Sequence, residues 1–144
     1  MKLLYPLLAV LGGIVVAMQV QVNGGLGRKA GVIEASFISF LIGTIALFFA
    51  VLFFGKGDLL AIFIVPKWQL IGGLLGSIYV LVAVLVTPKI GVASTLVAVV
   101  FGQILMGAII DHFGLFGGER IPMDLKKTAA IVLLFASLYL FNHE

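Results

Sequence analysis

The chain has 144 residues, of which 62% are hydrophobic, 18 are glycine and only 10% are charged. Soluble domains carry about 45–50% apolar residues, so a soluble fold is excluded and a bilayer must cover much of the surface. The formal net charge of +3 comes from basic residues scattered between apolar runs. This pattern is typical of membrane-flanking anchors rather than of a nucleic-acid interface. The absence of cysteine excludes disulfides and thiolate-bound metals.

Five apolar runs predict one all-α domain, 1–144, of five membrane helices: 3–22, 32–54, 70–86, 92–110 and 125–141. A span needs about 20 residues, and the fifth run reaches that length only if Lys126 and Lys127 snorkel. The first run also resembles a signal peptide, but it continues past any cleavage point, so we expect a span. We expect linkers at "NGGLGRKAG" (23–31), "TPKIG" (87–91) and "HFGLFGGERIPMD" (112–124).

The basic residues between the runs predict the orientation of the chain. Five spans would place six of them on the side of the N-terminus and three on the other, which favours a cytoplasmic N-terminus. A bias this small permits insertion in both orientations. The six are Lys2, Lys56, Lys67, Arg120, Lys126 and Lys127, and the three are Arg28, Lys29 and Lys89.

Polar side chains inside the first span are candidates for a functional site, because such residues usually face a bundle interior or a cavity. Gln19 and Asn23 are four residues apart and share one helical face. They can contact substrate, or they can join helices by hydrogen bonds worth about 0.6–2 kcal/mol. The spacing alone leaves both interpretations open.

The second and third spans offer one acid, one phenol and a pair of glycines. Glu34 lies in the first turn of its helix, where the helix dipole favours a carboxylate, and it is also a candidate for ion coupling. Tyr79 lies near mid-span, so its hydroxyl is as well placed for a cavity as for the membrane interface. Gly72 and Gly76 form a small-xxx-small pair that permits close helix packing.

The fourth span carries small or polar residues on one drifting stripe and ends with an acid beside an imidazole. Gly102 and Gly107 narrow the helix where a partner or ligand can approach. Asp111 is either a hydrated helix end paired with Arg120 or Lys126, or a proton- or cation-accepting carboxylate. His112 can change charge near neutral pH and is a further coupling candidate. The stripe is formed by Thr95, Val99, Gln103, Gly107 and Asp111.

Several of these segments together resemble a known family. After the Gln19–Asn23 pair come "GLGRKAGVIEASFISFLIGTIAL", "GGLLGSIYV", "TPKIGVASTLVAVVFGQ" and "DHFGLFGGERIP". They resemble the YdcZ-type family of bacterial inner-membrane proteins, within the drug/metabolite transporter superfamily, from about residue 12 to 141. The residues that match the family pattern are Gln19, Asn23, Phe40, Gly43, Gly73, Gly76, Gly91, Gly102, Gln103, Asp111 and Gly114.

The resemblance implies a multi-pass protein of the bacterial inner membrane. It also implies a five-helix unit, of which ten-helix superfamily members contain two inverted copies. The superfamily's small multidrug exporters have a glutamate in the first helix where this chain has Gln19, so their proton exchange cannot be transferred directly.

We therefore expect a secondary transporter of a small polar or cationic metabolite, which works as an antiparallel homodimer in lipid. Gln19, Asn23, Tyr79 and Gln103 would bind the substrate. No enzymatic activity, cofactor, metal or nucleic-acid partner is expected. The alternatives are a non-transporting membrane scaffold or accessory subunit, in which the amides only hold helices together, and a gated pore.

Overall fold

Residues 3–142 are described by the structure, a computed structural model, and Lys2 lies outside them. Five α-helices make up most of this part of the chain, and no strand occurs in it. They are α1 (Leu4–Ala30), α2 (Val32–Phe54), α3 (Gly72–Ile90), α4 (Val92–Phe113) and α5 (Leu125–Asn142). Short 3-10 turns at Leu59–Phe63, Lys67–Ile71 and Leu115–Gly117 lie in the connections.

Four helices in the described part are long and apolar enough to cross a bilayer: α1, α2, α3 together with the turn before it, and α4. None of the most apolar 18-residue window of α2 is buried within the chain, so a bilayer or a second chain must cover that helix. The fold is that of an all-α membrane protein, as predicted. Helix α5 begins at Leu125 as expected, but Lys126 and Lys127 occupy its first turn and shorten its apolar part. That α5 crosses the membrane stays a prediction.

The chain divides into two compact units, Met1–Lys89 and Ile90–Glu144. In the first unit α1 and α2 pack against each other, and in the second α4 packs against α5. The buried core of the first unit is formed by Ala35, Val80 and Val84, with Leu26, Val32 and Tyr79 packed around it. All three helices of that unit therefore contribute to one contact region.

Two of the predicted linkers are wrong. Residues 23–30 continue α1, and residues 87–90, including Pro88, continue α3. Helix α4 also extends three residues beyond the expected end at Ile110. In water, glycine is common at helix ends. In lipid, a non-helical backbone would leave its N–H and C=O groups without hydrogen-bond partners, so a helix continues through glycine.

Single glycines with positive φ angles form two of the connections between consecutive helices. Gly31 (φ +102°) is the only residue between α1 and α2, and Gly91 (φ +83°) is the only one between α3 and α4. The carboxylate of Glu34 fills the space that a side chain at Gly31 would need. Residues other than glycine rarely adopt such φ values, so both positions require glycine.

Glycines inside α1 permit its close approach to α3. A Cβ atom on Gly27 would collide with the Val84 side chain, and one on Gly24 would lie 3.5 Å from the Thr87 methyl group. Val84 is only 1% exposed. Gly24 and Gly27, which we expected to lie in a linker, therefore form the surface that contacts α3.

Replacing Gly27 with alanine should lower stability relative to replacing Gly12 in the same helix. Both changes give the same gain in helix propensity, up to about 1 kcal/mol, but only Gly27 lacks room, since nothing lies within 4 Å of a Cβ at Gly12. Overpacking against the stiff Val84 side chain should cost about 1–3 kcal/mol. Thermal unfolding in detergent measures the difference, and adding Val84→Ala to Gly27→Ala should recover part of the loss. Equal stability of the two glycine variants would contradict the proposed contact.

Candidate functional site

The Gln19–Asn23 pair is divided by the fold of the first unit. Asn23 is buried and its Nδ2 donates to Ser39 Oγ at 3.0 Å, which joins α1 to α2. Gln19, one turn earlier, is exposed in the single chain. Asn23 therefore forms an interhelical hydrogen bond, and Gln19 remains accessible to a ligand, to lipid or to a second chain.

Two hydroxyl groups on α3 are buried without a hydrogen-bond partner among the described residues, Tyr79 Oη and Thr87 Oγ1. Tyr79 packs against the core of the first unit. Thr87 is only 4% exposed, and sequence reasoning missed it because it fell in a predicted linker. Buried polar groups are almost always paired in native proteins, so each unpaired hydroxyl requires an explanation.

Glu34 lies in the first turn of α2, where we placed it, and it is exposed. Its carboxylate lies against the backbone of Gly31, at the turn from α1. The position suits the helix dipole.

In the second unit a groove runs between α4 and α5, with a volume of about 420 Å³. We call it the α4–α5 groove. Gln103 and Asp111 are both exposed on its α4 side, and Lys127 comes from the first turn of α5. Lys127 Nζ donates to the carbonyl oxygen of Pro122 at 3.1 Å. The lining includes Gln103, Gly107, Asp111, Lys127, Ala130 and Ile131.

The end of α4 holds the segment that follows it through three hydrogen bonds. The Asp111 carbonyl accepts from the Ile121 N–H (2.7 Å), the His112 carbonyl accepts from Arg120 Nε (3.1 Å), and His112 Nδ1 accepts from the Met123 N–H (3.2 Å). Arg120, one expected partner of the Asp111 carboxylate, is thus directed to a backbone oxygen. His112 serves as an acceptor, and Gly114 ends the helix in the left-handed conformation.

Of the glycines expected to pack helices, Gly76 does so within the described chain. A Cβ atom there would lie 3.4 Å from Phe40 of α2. At Gly72, Gly102 and Gly107 a Cβ would meet nothing within 4 Å, so these three positions are open in the single chain.

Long apolar helices with exposed apolar side chains and a few polar ones are typical of a polytopic membrane protein. The family model for DMT_YdcZ, described as "Putative inner membrane exporter, YdcZ", matches residues 4–140. The chain therefore belongs to the DMT_YdcZ family, which confirms the resemblance inferred from the sequence. No curated protein and no solved structure matches the chain. Membership of a family described as inner-membrane exporters supports a multi-pass membrane transporter of the inner membrane.

Replacing Ser39 with alanine should destabilise the first unit. The change leaves the buried Asn23 amide without its partner, which should cost about 1–3 kcal/mol. Ser77→Ala is the control, because the Ser77 hydroxyl donates only to carbonyls of its own helix, those of Gly73 (2.9 Å) and Leu74 (3.0 Å). Thermal unfolding in detergent compares the two variants. A loss at Ser77 as large as that at Ser39 would show that the interhelical bond is not what stabilises the unit.

Proposed function

We propose that the protein is a secondary transporter, which moves a small polar or cationic metabolite by alternating access as an antiparallel homodimer. The observation that carries this proposal is the Tyr79 hydroxyl, buried without a partner in the described chain. Leaving a buried hydroxyl unpaired costs about 1–3 kcal/mol. A hydrogen-bonding substrate, or water in its absence, would remove this cost in a transport site.

The amides complete the proposed substrate site. Asn23 uses one N–H for Ser39, which leaves its second N–H and its oxygen for a ligand. Gln19 and Gln103 are exposed on membrane helices, and an amide that faces lipid is costly. Substrate or a second chain would cover them.

Coupling to an ion would require a carboxylate that binds and releases it. Asp111 and Glu34 are both exposed near helix ends and can reach water. Asp111 is the stronger candidate because it shares a groove with Gln103. His112 is the third candidate, and its hydrogen bond from the Met123 N–H requires an unprotonated Nδ1.

A second, inverted copy would supply what one copy lacks. Transporters with inverted repeats place substrate near the bilayer midplane between the two halves. Two-fold pairing would cover Gln19 and Gln103, and the open positions Gly72, Gly102 and Gly107 would allow close approach. Small residues on α5, Ala129, Ala136 and Ser137, offer a further dimer contact.

A scaffold or accessory subunit is the second candidate function. The Asn23–Ser39 hydrogen bond favours it, because that bond holds helices together without any ligand. The two functions differ in what the exposed amides do, and substitution separates them.

Replacing Gln19 or Gln103 with leucine should abolish stabilisation by ligand while leaving the unliganded protein at least as stable. Leucine suits an apolar surface, and its introduction removes the desolvation cost of the amide. The ligand is first found by a thermal-shift screen of metabolites and drugs on detergent-purified protein, since a ligand of the native state raises its stability. Tyr79→Phe should weaken the same ligand by about tenfold through loss of one hydrogen bond. Lower stability or loss of the dimer at both glutamines would instead support the scaffold.

The antiparallel dimer predicts that one site can be labelled from both sides of the membrane. The parent has no cysteine, so Glu119→Cys and, separately, Lys29→Cys each introduce a unique thiol, in the α4–α5 connection and at the end of α1 respectively. In intact cells about half of each introduced thiol should be labelled from the outside, and the other half only after the inner membrane is permeabilised. Labelling of each from a single side, and from opposite sides for the two variants, would show one fixed orientation and would contradict the antiparallel homodimer.

A further inference from the structure

The α4–α5 groove carries charges of opposite sign on its two walls. Asp111 comes from α4 and Lys127 from α5. Their side chains are not joined in an ion pair within 4.0 Å, and both residues lie in the described chain. The carboxylate is exposed, and the ammonium group donates one hydrogen bond, to Pro122. An acceptor-only carboxylate and an ammonium group with two further N–H bonds therefore line one groove, and the described chain gives neither a partner across it.

The rest of the groove is suited to a small molecule. Gln103 lies two helical turns before Asp111, about 12 Å along the axis, and its amide can both donate and accept. Gly107 lies between them, and nothing occupies the space of a side chain there. Apolar residues of α5, Ala130 and Ile131, form part of the opposite wall. The volume of about 420 Å³ is within the range of small-molecule pockets.

We propose that the α4–α5 groove binds a zwitterion, a small molecule or headgroup that carries a primary ammonium group close to an anionic group. The ammonium donates to the Asp111 carboxylate and the anion accepts from Lys127. Charge-assisted hydrogen bonds of this kind are stronger than neutral ones. A cation alone would leave the lysine unpaired, and an anion alone would leave the aspartate unpaired.

This inference rests on the proposed transport function in one respect, since the groove contains Gln103 of the proposed substrate site. Asp111, the coupling candidate, would here bind the ammonium group of the substrate itself. The same chemistry occurs in a free zwitterionic solute and in the headgroup of phosphatidylethanolamine. O-phosphoethanolamine is therefore the soluble probe, and ethanolamine, inorganic phosphate and phosphocholine are the matched comparisons. Phosphocholine keeps both charges but has no N–H to donate to Asp111.

The test is the melting temperature of the detergent-purified full chain with each probe. O-phosphoethanolamine should raise it by several degrees, and more than any of the three comparisons. Asp111→Asn and Lys127→Gln should each weaken the apparent affinity by about tenfold or more. Glu119→Gln and Lys126→Gln are the controls, because both residues are exposed nearby and neither lines the groove. Both controls should respond as the parent does.

Nanodiscs distinguish the two sources of the ligand. In phosphatidylcholine discs the soluble probe should stabilise the parent. If exchanging phosphatidylcholine for phosphatidylethanolamine gives the same stabilisation and removes the response to the probe, the groove holds a headgroup. If the probe still acts in phosphatidylethanolamine discs, the groove takes a free solute. Either result supports the proposal if Asp111→Asn and Lys127→Gln abolish the stabilisation.

The proposal is overturned if phosphate or ethanolamine alone gives the full effect, or if Asp111→Asn and Lys127→Gln respond as the parent does. It is also overturned if neither the probe nor the lipid exchange changes the melting temperature. Failure of transport is a separate result. Binding that depends on the groove but is not accompanied by flux would support the zwitterion site and contradict the transport function. Flux that Asp111→Asn and Lys127→Gln leave unchanged would support transport and contradict the zwitterion site.

Discussion

Lipid offers no hydrogen bonds, and this constraint determines where the chain coils, where it turns and where its polar side chains lie. Backbone groups are satisfied by unbroken helices, so α1 continues through Gly24, Gly25 and Gly27. The turn between α1 and α2 is reduced to the single residue Gly31. Asn23 satisfies part of its amide with Ser39. Where a polar group stays unpaired, as at Tyr79, the energetic cost marks a position at which a ligand or water would be bound.

The contact between α1 and α3 adjoins the core on which Tyr79 packs. Gly24 and Gly27 bring Thr87 and Val84 against α1, and Val84 belongs to the core on which Tyr79 packs. The interhelical bond of Asn23 lies one residue from Gly24 on the same helix. The residues that provide packing therefore lie next to those proposed to bind substrate on both α1 and α3.

Much of the fold follows from composition and from a few local signals. The starts of α2 and α4 at Val32 and Val92 agree with the predicted spans, because Gly31 and Gly91 act as turns through their positive φ angles. Glycine led to a wrong prediction at 23–30, where we expected a linker, since a helix in lipid tolerates glycine and uses it for packing. Within the site, helical spacing could not distinguish the buried Asn23 from the exposed Gln19, because burial depends on which residues of other helices pack against each turn of α1. Thr87 was missed because residues 87–91 were predicted to be a linker, whereas residues 87–90 continue α3. The partners of Asp111 and His112 depended on how residues 114–124 fold back.

Counterflow in proteoliposomes tests the transporter most directly. Protein reconstituted with the unlabelled ligand from the screen trapped inside is given the labelled ligand outside, and uptake is followed with time. A carrier predicts transient accumulation above equilibrium, driven by the trapped ligand, and a strong reduction of that accumulation by Tyr79→Phe. Uptake that merely equilibrates would indicate a pore. No uptake by protein that still binds the ligand would contradict the account and leave the scaffold.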